Sequence, residues 1–209
     1  MTYKDITINQ YLKLCELLDE CDEKDFLSIQ VTEIAIISKM SEEEVLELPL
    51  PEYQEKVRSI SFLTAPPKPS PKKFNSLVIA GKNFDVIKDV RKMTAGQFID
   101  YSTFAGFKSN KYIAHMLSVF VLPQGKKYGD YDQDEHIEFL GENLDVQTAF
   151  DICFFFRHKL QVLLEVMELY LAWEMRKMKK NKEIPTEKMM EAQKKLDLLK
   201  NGIGFIKQM

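Results

Sequence analysis

Residues 77–87 read Leu77-Val78-Ile79-Ala80-Gly81-Lys82-Asn83-Phe84-Asp85-Val86-Ile87. Two short runs rich in β-branched and aromatic residues flank Ala80-Gly81-Lys82-Asn83, which is the pattern of a tight hairpin with a glycine-containing turn. No other stretch of the 209 residues carries a clear strand signal. The remaining apolar residues recur at helical spacing. The fold expected from this contrast is mainly α, a helical domain with one small β-hairpin.

Working outward toward the N-terminus, Ala65-Pro66-Pro67-Lys68-Pro69-Ser70-Pro71-Lys72-Lys73 is the strongest punctuation in the chain. Proline lacks an amide hydrogen and fixes φ, so this run predicts an extended linker between elements. Ahead of it, Thr7 is expected to cap a helix running to about Glu20, and a second helix covers Asp25 to Met40. Ser41-Glu42-Glu43-Glu44 has the form of a capping box. The short helix it opens is expected to end at Pro49 and Pro51, before another helix from Glu52 to Leu63. Downstream of the hairpin, Thr94 caps a helix from Ala95 to Phe104. A helix over Lys111–Leu122 is stopped by Pro123, and a polar loop follows from Gln124 to Asp134. A short helix spans Asp134–Leu140, and a long one runs from Val146 to Lys180. Pro185-Thr186-Glu187 opens a last lysine-rich helix. The organisation expected is an acidic helical region (1–64), a Pro-rich linker (65–73), a hairpin with a helical core (74–180) and a basic C-terminal helix (181–209).

The formal net charge of −3 conceals a gradient. Residues 1–64 hold 6 Lys and Arg against 14 Asp and Glu, residues 65–175 hold 13 against 14, and residues 176–209 hold 10 against 4. Such polarity suits head-to-tail self-association or contact with a charged partner. Three cysteines without CxxC spacing fit reduced thiols in a cytosolic setting, with Cys15 and Cys153 as small core residues. The N-terminus has no signal-peptide pattern. The most apolar stretch, Ile152 to Trp173, is interrupted by Arg157, His158, Lys159, Glu165 and Glu168, which argues against a membrane span.

The motifs of common chemistries fail one by one. Gly81-Lys82-Asn83 lacks the spacing of a phosphate-binding loop, and no GxGxxG, GxSxG or HExxH occurs. Asp130-Tyr131-Asp132-Gln133-Asp134 resembles the start of a calcium loop. Its sixth and twelfth positions, however, are Glu135 and Gly141 rather than Gly and Glu, leaving only a nonstandard Ca²⁺ or Mg²⁺ site open. Asp134, Glu135 and His136 form a candidate acid–base cluster with no visible means of shifting their pKa values. His115, His136 and His158 are expected as hydrogen-bonded structural residues. The expectation is therefore a protein without catalytic residues, resident metal or cofactor. Arg176, Lys177, Lys179, Lys180, Lys182, Lys194 and Lys195 could neutralise phosphates. The scarcity of arginine and of interleaved aromatics limits them to non-specific nucleic-acid contact.

Several stretches together carry a family resemblance. They are Ser76 to Ile87, Asp89-Val90-Arg91-Lys92-Met93-Thr94-Ala95-Gly96-Gln97-Phe98-Ile99-Asp100-Tyr101, Leu117 to Pro123 with Gly125, Lys127, Tyr128 and Gly129-Asp130-Tyr131-Asp132, and Ala149 to Phe156. In these the chain resembles small virion-morphogenesis proteins of tailed phages of Bacteroides-type hosts, including the crAss-like group. Met40 to Leu50 looks like an element of tail-assembly-chaperone-type proteins. The resemblance implies a non-enzymatic role in the neck or tail of a virion, or as an assembly chaperone for it. It implies phage structural proteins and further copies of the chain as partners, and the virion or the host cytoplasm during assembly as its location. On that view Gln97, Phe98, Asp100, Tyr101, Tyr128 and Tyr131 are the contact candidates, because aromatic residues anchor interfaces. Phe98 and Ile99 also fit ordinary core packing. An internal virion protein that touches nucleic acid through the basic tail is the alternative.

Overall fold

The computed structural model describes residues 1–20, 26–70, 74–87, 89–107 and 109–180, with Met190, Gln193, Lys194 and Asp197 beyond them. The last lysine-rich helix therefore falls mostly outside the described residues, as do Cys21, Pro71 to Lys73, Lys182 and Lys195. Among the described residues the fold is mainly α. The helices are α1 (Ile8–Glu20), α2 (Phe26–Ser38), α3 (Glu42–Leu46), α4 (Leu50–Ser59), α5 (Ala95–Gly106), α6 (Ile113–Phe120), α7 (Gln133–Asn143) and α8 (Val146–Lys180). An antiparallel sheet is built from β1 (Ser76–Ile79), β2 (Lys82–Val86) and β3 (Val121–Pro123), in the order β1-β2-β3. No described helix is long and apolar enough to cross a membrane. Two compact units divide at Cys153 and Phe154, within α8 rather than at the prolines.

In the first unit, α1 starts at a capping box that the sequence half announces. The Thr7 hydroxyl accepts from the Gln10 amide at 3.3 Å, and the Gln10 side-chain carbonyl accepts from the Thr7 amide at 3.0 Å. The same Gln10 side chain then donates to the carbonyls of Ile36 and Ile37, which lie in the last turn of α2 and lack intrahelical partners. Ser41 and Glu44 form the expected box on α3. Pro51 does not stop a helix. It lies in the first turn of α4, where its missing amide hydrogen costs nothing.

Ile6, Leu14, Val31, Ile34, Ile37, Val45, Ile60 and Val146 form a core under α1, α2 and α3, edged by Tyr3, Tyr11, Phe62 and Phe150. The first turn of α8 completes it. Val146 donates to the Ile6 carbonyl at 3.0 Å, Gln147 to the Tyr3 carbonyl at 3.1 Å, and Thr148 to the Asp145 carboxylate at 2.8 Å. The amides of the first three residues of α8 are thus satisfied. Close by, α7 passes α1 so tightly that a Cβ on Gly141 would collide with the Asn9 amide.

The Pro-rich run has no helix or strand over residues 65–70, as expected, but it is tied down rather than free. The Tyr3 hydroxyl donates to the Ala65 carbonyl at 2.7 Å, and Gln147 donates to the Lys68 carbonyl at 2.9 Å. The buried Asp151 carboxylate accepts from the Ser70 amide at 2.6 Å and from Gln147 at 2.9 Å.

The hairpin is present, with a tighter turn than expected. Ile79 pairs with Lys82, so the turn is Ala80-Gly81 alone. Both residues have positive φ, 46° and 75°, as a type I′ turn requires. One expectation is corrected here: the helix over Lys111–Leu122 ends at Phe120. Leu122 precedes a proline and avoids the helical region, so the chain extends and takes up the open edge of β2 as β3, with Val86 opposite Val121.

Alanine in the left-handed region carries a cost of about 1–2 kcal/mol that asparagine largely escapes. Ala80→Asn is therefore expected to raise the unfolding free energy by about 1 kcal/mol, read as a higher urea midpoint at unchanged slope.

Candidate interaction face

Thr94 and Gln97 set the start of α5 by a third reciprocal box, at 3.2 Å and 3.0 Å. As with Gln10, the glutamine has a further bond. Its side-chain NH₂ donates to the Val119 carbonyl of α6 at 2.9 Å, and the residue is only 3% exposed. Tyr101, one turn on, is equally buried, with its ring 5.0 Å from that of Phe120. Gln97 and Tyr101 are thus corrected from contact candidates to interior residues. The reason is periodicity: they share the inner face of α5, so neither offers surface to a partner.

The outer face presents Phe98 and Ile99, the latter 61% exposed, which is the reverse of core packing. Asp100 is the single charged residue of α5 and is held at its flank, where the Tyr128 hydroxyl donates to it at 2.8 Å. Burial, helped by that bond, raises the Tyr128 pKa, so the phenol stays protonated. Further along, the Ser102 and Thr103 hydroxyls donate back to the Phe98 and Ile99 carbonyls at 2.7 Å and 2.9 Å. Phe107 follows the helix, exposed and stacked on Tyr112 at 4.4 Å between ring centroids. From Ala95 to Phe107 the outer face is therefore apolar or small, with no charge projecting from it.

The polar loop after β3 closes one side of this region. Tyr131 is half-buried, its hydroxyl 3.4 Å from the Ser118 carbonyl and its ring edge-on to His136. The proposed acid–base cluster is not assembled. The Asp132 carboxylate accepts from the Asp134 and Glu135 amides, both at 3.0 Å, as the cap of α7. Asp134 and Glu135 point to solvent. His136 turns inward, stacks on Phe84 and donates from Nε2 to the Val121 carbonyl at 2.7 Å. Among the described residues, no three His, Cys, Asp or Glu side chains stand together as a metal site would need.

A concavity with no signature in the sequence lies between α1 and the turn before α6. It measures about 210 Å³ and is lined by Leu12, Cys15, Glu16, Asp19, Asn110 and Lys111. Lys111 pairs with Glu16 at 3.2 Å, and the Asn110 amide lies 3.6 Å from the Cys15 sulfur. Cys15 is thus half-buried at a cleft rather than in the core. Cys153 is half-buried as a residue, yet burial of its sulfur pushes the thiol up to about 12. Of the basic residues, Arg176 is exposed near the end of α8, Lys177, Lys179 and Lys180 lie on its last turn, and Lys194 is exposed.

Comparison of the chain with protein-family models, with curated proteins and with solved structures finds no match in any of the three.

Two measurements test this geometry. Gln97→Glu keeps the acceptor of the capping box but loses the donor to Val119 and sets a carboxylate against that carbonyl. It is expected to lower stability by about 1–3 kcal/mol, whereas an exposed Gln→Glu change costs little. Burial lowers the pKa of His136, outweighing the opposing bond to Val121, and burial also lowers that of His115. The unfolded chain then binds more protons than the folded one just below the ordinary histidine value of about 6.5. Stability is accordingly level above neutrality and falls as pH drops from about 6.5 toward 5. His136→Gln, which retains a donor for Val121, is expected to flatten that fall in urea titrations across the window.

Proposed function

We propose that this chain is a non-enzymatic protein of phage virion morphogenesis, acting by protein–protein contact through the outer face of α5. It serves as a subunit of the neck or tail region or as an assembly chaperone for it, in the virion or in the host cytoplasm during assembly. The observation that carries the reading is the absence of projecting charge along α5, where Phe98, Ile99 and Phe107 are all exposed. Interface centres are depleted of charge and enriched in aromatic residues in this way. Fully covering such a side chain is worth about 1.5–3 kcal/mol, so three of them can supply the anchor of a specific contact. The resemblance of residues 76–101 and 117–132 to phage morphogenesis proteins supplies the class of partner.

The test is co-expression of the full chain with the virion proteins encoded beside it, followed by affinity capture. Wild type is expected to retain a neck, tail or head protein. Ile99→Asp is expected to lose it by at least tenfold with an unchanged melting temperature, because Ile99 already faces water. Retention of DNA alone, falling steeply with salt and abolished by removing residues 176–209, would replace this reading with the nucleic-acid one.

A further inference from the structure

In the second unit the described part of α8 has two apolar faces. Phe156, Leu160, Leu164 and Met175 are buried on one. On the other, Phe155, Lys159, Val162, Val166, Leu169 and Trp173 follow one another at intervals of four, three, four, three and four residues. Leu169 is 72% exposed and Val166 57%, with Val162, Tyr170 and Trp173 exposed beside them. Residues 159, 166 and 173, and likewise 155, 162 and 169, recur every seven residues, the repeat that keeps a stripe facing a single helical partner over successive turns in a two-helix seam.

We propose that this stripe is a self-association surface, on which α8 pairs with α8 of a second copy in a parallel, in-register seam. In heptad terms Lys159, Val166 and Trp173 occupy the a positions, and Phe155, Val162 and Leu169 the d positions. In the Val166 and Leu169 layers a β-branched residue at a and leucine at d favour two strands, and a single lysine at a sets register and number at some cost in stability. Lys159 already lies 5.6 Å over the Phe155 ring, with its stem along the stripe and its charge at the edge.

The flanking residues fit the same register. His158 would meet Leu163 of the second copy and Glu165 would meet Tyr170, so neither flanking pair sets like charges together; the one like-charge layer is Lys159 against Lys159. The exposed stripe amounts to roughly 500 Å² per copy, so the pair buries about 1,000 Å², which is the lower end for a specific complex. A reversible dimer with a micromolar dissociation constant is the affinity class that follows. The proposal is independent of the α5 face, which belongs to the other unit.

The test is sedimentation and light scattering of the full chain from about 1 to 100 µM. Wild type is expected to pass from monomer to dimer in that range. Val166→Glu is expected to weaken dimerisation at least 100-fold at unchanged helical circular dichroism. Lys159→Ile, which removes the charged layer, is expected to tighten it at least tenfold. Val166→Cys is expected to form a 166–166 disulfide across the seam under mild oxidation, located by peptide mapping against the wild-type thiols. Ile99→Asp is expected to leave the dimer intact. A chain that is monomeric throughout, whether because residues 181–209 cover the stripe or because a different protein does, overturns the proposal. So does an oligomer indifferent to Val166→Glu, or a cysteine variant that fails to cross-link.

Discussion

The first turn of α8 is the constraint on which the first unit depends. A helix of 35 residues starts with amides that no residue of its own can satisfy. Here they are met by the carbonyls of Tyr3 and Ile6 and by Asp145. That demand brings the beginning of the chain to residue 145, and the bridge between Thr7 and Asp145 and the bond from Ile8 to the Leu144 carbonyl follow from it. Once Tyr3 is placed there, its hydroxyl reaches Ala65, and Gln147 and Asp151 collect the rest of the Pro-rich run. A segment with almost no bonding capacity of its own is thereby held by donors and acceptors that lie 62 to 81 residues away in sequence.

A second economy recurs in the capping glutamines. Gln10 and Gln97 each accept from the cap residue and donate to the carbonyl of a different helix, so one side chain both starts a helix and fastens it to a neighbour. Glutamate serves the first task equally well, and Glu44 does so on α3, where the tie to α2 is made by Glu42 instead, which accepts from the Thr32 hydroxyl at 2.7 Å.

Elements set by local forces are legible in the sequence. Thr7, Ser41 and Thr94 act as caps, and the 146–180 helix has the bounds that its periodicity predicts. The errors fall where a distant partner decides. Leu122 and Pro123 leave the helical pattern because β2 offers an open edge, and nothing within residues 111–123 announces that edge. At the site, Phe98 and Ile99 have core composition but face outward, while Gln97, the polar residue among them, is buried. An amide can be satisfied in the interior when a carbonyl such as that of Val119 stands opposite it. His136 was recognisable as a structural histidine, although its acceptor, the Val121 carbonyl, was not. The cleft beside Cys15 joins residues 95 positions apart and has no sequence signature.

The closure between the first residues and the start of α8 also orders events during synthesis. Translation delivers the carbonyls of Tyr3 and Ile6 long before the amides of Val146 and Gln147 leave the ribosome, about ten seconds later at ordinary elongation rates. Until then α1 to α4 can collapse around Val31, Ile34 and Val45, but the carbonyls of Tyr3 and Ile6 must remain hydrated, and Lys68 and Ser70 of the Pro-rich run lack their partners on α8. Contacts of such high sequence separation place the final locking of the first unit late in folding. Until the start of α8 emerges, the first unit is therefore held half-closed, its last backbone bonds made by the residues synthesised latest within it.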